Sequence, residues 1–139
     1  MNPAPGSVST IAASMESFVI EGGRQLSGTV RASGNKNGAL PILAATVMCT
    51  DVVRLSNVPR IRDVETMTEL LADLGADVEW TGPNEIRVDP RGVGKTDLDP
   101  RLAREIRASF LLAGPLLARF GRVTVPPPGG DVIGRRRLD

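Results

Sequence analysis

Ser33-Gly34-Asn35-Lys36-Asn37-Gly38-Ala39-Leu40-Pro41-Ile42-Leu43 decides the reading of this chain. A strand-like run from Gly28 to Ala32 feeds a turn rich in glycine and asparagine, which carries one lysine and opens into a small, apolar helix. Backbone N–H groups at a helix start, next to an ammonium, suit a phosphate or a carboxylate. The same residues also suit an ordinary strand-to-helix turn with a solvated lysine, because any helix N-terminus attracts anions.

Working outward, Glu16–Glu21 and Leu26–Ala32 read as short strands around a Gly22-Gly23 turn. Ala39–Cys49 is apolar on every side apart from Thr46, the pattern of a helix buried all round, with Cys49 in the core and Pro41 in the first turn. Val52–Val58 reads as a strand closed by Pro59. Asp63 suits an N-cap; Val64, Met67, Leu70, Leu71 and Leu74 then line one helix face, and Gly75 ends it. Asp77–Trp80 and Glu85–Val88 form a hairpin. Asp99-Pro100 starts a further helix with Leu102, Ile106, Phe110 and Ala113 as its apolar stripe, which Gly114-Pro115 should kink or split. Arg122–Val125 reads as a strand before the loop Pro126–Gly130. The order β-α-β-α-β-β then restarts. An apolar helix, a strand and a proline recur at Leu40–Pro59 and Leu111–Pro128, which suggests repeated α/β units around a common core.

Composition bounds the function. The 139 residues allow one small domain, and 41% hydrophobic content fits a globular chain. Lys+Arg 17 against Asp+Glu 16 leaves +1, so no global charge points to nucleic acid or a membrane surface. No apolar stretch reaches spanning length. Residues 1–15 read as a disordered extension without the features of a secretory signal, and 16–139 as the structured part. A lone Cys49 forbids an intrachain disulfide, which fits the cytosol. With no histidine, acid–base work falls to Asp, Glu, Lys or Cys, and a His triad or His metal site is excluded.

Beyond Lys36 and Asn37, three features could carry chemistry. Arg107 shares a helix with Arg101 and Arg104, as an anion clamp or as a solvated basic face. Asp131 follows Pro128-Gly129-Gly130, as a general acid or as a turn aspartate. Arg135-Arg136-Arg137 lacks the neighbouring aromatics of a nucleic-acid patch. Gly92-Val93-Gly94-Lys95-Thr96 imitates the end of a P-loop, but Asp89 stands where its first glycine belongs.

Taken in order, several pieces resemble the UDP-N-acetylglucosamine 1-carboxyvinyltransferases, a family of enolpyruvyl transferases. They are Ser33-Gly34-x-Lys36-Asn37-x-Ala39-Leu40-Pro41-Ile42, Asn57-Val58-Pro59, Asp63 with Leu70-Leu71-x-x-Leu74-Gly75-Ala76, Arg107-Ala108-Ser109, Gly114–Gly121, and Pro128-Gly129-Gly130-Asp131-x-Ile133-Gly134-x-Arg136. The resemblance runs from Phe18 to Asp139 and implies an α/β fold, part of an inside-out barrel of β-α-β-α-β-β units with helices inside. It implies two small-molecule substrates, phosphoenolpyruvate and UDP-N-acetylglucosamine, with no metal or organic cofactor. Residue by residue, it implies that Lys36 contacts the phosphoenolpyruvate anion, that Asn37 contacts the sugar, and that Arg107 lines the cleft. Asp131 stands where most members carry a cysteine general acid. Arg136 would meet the uridine nucleotide, with Arg137, Leu138 and Asp139 following along that segment, although members often have Pro-Val in place of Arg137-Leu138. Family members are far longer and close the site with a second, C-terminal domain, so the 139 residues are expected to be an N-terminal portion, inactive alone. A shikimate-pathway enolpyruvyl transferase and a non-catalytic anion- or nucleotide-binding fragment are the alternatives. The first pairs its turn lysine with serine rather than with Asn37.

Overall fold

A three-stranded antiparallel sheet backs the helices. In the computed structural model, which describes residues 18–23 and 25–129, β1 (Val53–Ser56), β2 (Asp77–Gly82) and β3 (Glu85–Asp89) pair in the order β1-β3-β2. The register sets Val53 and Val78 on either side of Val88, and Leu55 and Trp80 on either side of Ile86. That period of two gives the sheet one apolar face. The other face carries Arg87, whose Nη1 lies 2.7 Å from Asp77 Oδ2. The hairpin matches the expected one, with β2 two residues longer than read.

Helix α2 (Arg62–Asp73) supplies the other half of the core. Val64, Met67, Leu70 and Leu71 are fully buried along one face, and Leu74 nearly so. Each such side chain contributes about 1.5–3 kcal/mol of burial. Gly75 ends the helix at φ 107, where the Ala76 N–H reaches back to the Leu71 carbonyl at 3.0 Å. The cap itself differs from expectation. Ile61 occupies it with no side-chain bond, and Asp63 falls in the first turn, because the helix begins at Arg62, two residues earlier than a cap at Asp63 would start it.

Helix α1 (Lys36–Ala45) also starts earlier than read, so Pro41 sits in its second turn. The proline has no N–H to offer the Asn37 carbonyl, but its ring faces outward and the helix continues. A 3₁₀ turn (Thr46–Met48) follows, with the buried Thr46 hydroxyl donating to the Leu43 carbonyl at 2.6 Å. The helix is not enclosed on all sides. Leu43 and Ala44 are buried, whereas Ile42 is 52% exposed and Cys49 is half-buried rather than core.

The second long helix breaks elsewhere than expected. Helix α3 (Pro100–Glu105) starts at Asp99 and Pro100 as read. It stops at Ile106, whose backbone is extended, and gives way to a 3₁₀ segment (Arg107–Leu112) and then to α4 (Ala113–Phe120). Buried Ser109 explains the site: its Oγ lies 2.9 Å from the carbonyls of both Ala103 and Ile106, taking up acceptors that the break releases. Pro115 then falls in the first turn of α4, where a proline costs little.

Residues 122–125 form no strand. Thr124 makes a single parallel bridge to Asp97, so the second helix–strand–proline echo is only partly built among the described residues. The chain divides into two units, Met1–Val30 and Arg31–Asp139. In the first, residues 18–21 and 26–30 form no strand, and Arg31-Ala32 in the second do not either; a strand exists only as a ladder, and none reaches them. The extension read over 1–15 lies outside the described residues. No helix among those described is long and apolar enough to cross a membrane.

Candidate active site

The lysine turn is held at both ends. Asn35, in extended backbone, caps α1 by accepting from the Gly38 N–H at 2.8 Å. The Gly34 N–H donates to Asn57 Oδ1 at 2.9 Å, across 23 positions of sequence. A Cβ on Gly34 would lie 1.7 Å from the Asn57 carbonyl oxygen, so only glycine allows the approach. An open cleft of about 190 Å³ runs along this junction, with Gly34, Asn35, Gly38, Ala39 and Ile42 on one wall and Leu55 to Val58 on the other.

Exposed Lys36 and Asn37 are the first two residues of α1. The Lys36 ammonium lies 2.8 Å from Asp63 Oδ2, in the first turn of α2, so the two helix starts are neighbours. The next link leads to Arg107. Glu105, the last residue of α3, lies 3.5 Å from the Thr66 hydroxyl and 3.7 Å from the Arg62 guanidinium, both on the first turns of α2. Half-buried Arg107 follows two residues later. Lys36 and Glu105, two residues before Arg107, thus both connect to the first turns of α2. Arg101 pairs instead with Asp99, 3.2 Å away, and its hydrogen bond is the main reason the Asp99 carboxyl is held below its usual range.

The start of the loop expected to carry the acid is anchored on α3. The Gly129 N–H donates to the Ala103 carbonyl at 3.2 Å, and a Cβ on Gly129 would strike the Arg104 carbonyl. Asp131, Arg136, Arg137, Leu138 and Asp139 lie outside the described residues. Among those described, no group of three or more Cys, Asp or Glu residues could hold a metal ion.

The P-loop imitation is closed to phosphate. Its Gly94 and Lys95 N–H groups both donate to the Leu74 carbonyl, at 3.1 and 3.3 Å, and Lys95 pairs with Asp73 at 2.7 Å. Two participants escaped the sequence reading: Asp63 as the partner of Lys36, and Asn57 as the partner of Gly34. Asparagine just before Val58-Pro59 was the available signal for the second, since it is the side chain most at home in left-handed backbone outside glycine.

Residues 20–139 match the model of the EPSP synthase (3-phosphoshikimate 1-carboxyvinyltransferase) family. A UDP-N-acetylglucosamine 1-carboxyvinyltransferase of Bradyrhizobium diazoefficiens is 57% identical over 122 residues, 88% of this chain and 28% of that protein. A protein of the same name from Treponema denticola is 46% identical over 125 residues, 90% of this chain and 29% of that one. The chain thus spans under a third of the curated relatives it matches. Among solved structures, the enolpyruvyl transferase NikO from Streptomyces tendae superposes with a TM-score of 0.61 at 31% identity, over 72% of this chain and 23% of that one. The helices and hairpin described above are thus a part of the inside-out α/β barrel, and the chain belongs to the EPSP synthase (3-phosphoshikimate 1-carboxyvinyltransferase) family of enolpyruvyl transferases.

Proposed function

We propose that this chain forms the phosphoenolpyruvate-binding side of an enzyme that transfers an enolpyruvyl group to the 3′-hydroxyl of UDP-N-acetylglucosamine, releasing phosphate, at the start of peptidoglycan synthesis. The observation that carries the reading is the Lys36-Asn37 pair at the start of α1, within a sequence 57% identical to a relative of that name. In the addition step, Asp131 protonates the methylene carbon of phosphoenolpyruvate while the sugar 3′-hydroxyl gives its proton to a carboxylate of the C-terminal domain and its oxygen bonds to C2. In the elimination step, the bond from C2 to the phosphate oxygen breaks, the same carbon gives a proton to a carboxylate base, and the double bond re-forms. Lys36 and Arg107 stabilise the anionic groups throughout. Asn37 holds the sugar, and Arg136 with Arg137, Leu138 and Asp139 follows the nucleotide. A C-terminal domain of the relatives' kind completes the site, so the 139 residues alone turn nothing over.

The test uses a hybrid enzyme in which the matched residues replace their counterpart in the Bradyrhizobium diazoefficiens relative. Phosphate release from phosphoenolpyruvate should require UDP-N-acetylglucosamine. Release with shikimate 3-phosphate instead would favour the shikimate-type reading. Asp131→Asn should lose most turnover, since an amide cannot deliver the proton. The unmodified hybrid should resist covalent inactivation by the epoxide fosfomycin, which the family's cysteine accepts, and Asp131→Cys should remain active and become sensitive. Full activity of Asp131→Asn would remove Asp131 from the mechanism.

A further inference from the structure

The lysine turn has a local tie and a remote one. The Asn35 cap fixes the helix start but not where that start stands against the sheet. Asn57 does the second job. Its φ of 57 is the one positive value outside glycine among the described residues, a conformation that costs most side chains about 1 kcal/mol or more and asparagine least. That backbone sends Oδ1 to the Gly34 N–H and slides the Asn57 carbonyl under the Gly34 Cα, where no Cβ fits. Asn57 is itself secured by the next residue. Buried Val58 donates its N–H to the Asn84 carbonyl at 2.9 Å, and the Asn84 side-chain amide, turned to satisfy its neighbours, donates back to the Val58 carbonyl at 3.2 Å. A rigid path therefore leads from the β2–β3 hairpin through Asn57 to the turn.

We propose that Asn57 is a positioning residue: it latches the Gly34–Asn37 turn to the corner between β1 and α2 and so sets where Lys36 stands. This rests on the anion role given to Lys36 above. Misplacing a charged group by a fraction of an ångström to an ångström costs about tenfold or more in rate. The variants separate conformation from hydrogen bond. Asn57→Gly keeps the left-handed backbone and removes the acceptor, while Asn57→Asp keeps both.

In the hybrid enzyme, Asn57→Gly should lower kcat/KM for phosphoenolpyruvate about tenfold without moving the urea midpoint, and Asn57→Asp should restore it to within about threefold. Combined with Lys36→Ala, Asn57→Gly should have under about twofold further effect, because it acts through that side chain. Unchanged kinetics for Asn57→Gly, or an undiminished loss on top of Lys36→Ala, would overturn the proposal. Should Lys36→Ala itself leave phosphoenolpyruvate kinetics untouched, the anion reading fails, and the latch is judged on its own by hydrogen exchange. Gly34 amide protection that Asn57→Gly abolishes and Asn57→Asp keeps would support it. A Gly34 amide that exchanges freely in the unmodified protein would refute it.

Discussion

Gly34-Asn35-Lys36 and Gly92-Val93-Gly94-Lys95 are both glycine–lysine turns, and both lysines end against an aspartate, Lys36 at 2.8 Å from Asp63 and Lys95 at 2.7 Å from Asp73. They differ in which end of a helix they meet. Lys95 lies at the C-terminus of α2, where its backbone and that of Gly94 satisfy the Leu74 carbonyl and its ammonium complements the helix dipole. Every part of that turn is explained by sealing a helix end. Lys36 is the first residue of α1, the end that repels cations. Asp63, 2.8 Å away, offsets the repulsion. A cation kept at that end is what the proposed anion role of Lys36 would use.

Exchanging each lysine for alanine tests that contrast most severely. In the hybrid enzyme, Lys36→Ala should cost about 10²–10³-fold in kcat/KM for phosphoenolpyruvate, the size of a lost preorganised donor. The Michaelis constant for UDP-N-acetylglucosamine should move much less. Lys95→Ala removes only an exposed ion pair, worth under about 1 kcal/mol, and should leave both substrates' kinetics within about twofold. Equal effects from the two changes would erase the distinction between the turns.

The glycines give a smaller contrast, read as stability. Gly34→Ala drives a methyl into the Asn57 carbonyl and should destabilise by about 1–3 kcal/mol as the corner shifts. Gly94→Ala meets nothing nearer than the Gly92 carbonyl at 4.0 Å and should stay within about 0.5 kcal/mol. Urea unfolding of both variants measures the difference. A neutral Gly34→Ala would mean that the close approach to Asn57 is loose in solution.

Much of this was legible from short-range patterns. The α2 stripe, its Gly75 stop, the Asp99-Pro100 start and the β2–β3 hairpin all rest on periodicity or capping within about ten residues of sequence. The turn and helix around Lys36 and Asn37 were legible for the same reason, since they are local. What escaped depends on contacts far apart in the chain. The break at Ile106 is set by where the buried Ser109 hydroxyl finds carbonyls, so Gly114-Pro115, the louder local signal, misled. The strands read at the N-terminus needed partners that local sequence cannot supply. Asp63 looked like a cap because caps are the commonest use of such an aspartate; its ion pair with Lys36 exists only once α1 and α2 are side by side.

Acid should separate the two turns by the smallest effect. Asp89 caps the 3₁₀ turn Pro90–Gly92 that opens the second glycine–lysine stretch. Its carboxylate accepts from Arg91 Nε at 2.8 Å and from the Arg91 backbone N–H at 3.2 Å, and the Arg91 side chain is the main reason its pKa is lowered from 3.8 to about 2, with Arg87 adding to the pull. A carboxyl held lower in the folded state than in the unfolded one stabilises the fold above the unfolded value and loses that contribution as pH falls through the folded one. The window is therefore from about pH 4 down to about pH 2. Asp89→Asn has no such group, so the gap in urea midpoint between it and the unmodified chain should narrow across that window. Hydrogen exchange at residues 92–96 should rise over the same range. The Gly34 amide should not follow, because its acceptor is the uncharged amide of Asn57. A gap that stays constant down to pH 2, or Gly34 loosening together with residues 92–96, would show that the two turns respond to acid as one unit and that the Asp89–Arg91 contact is not what holds the second in place.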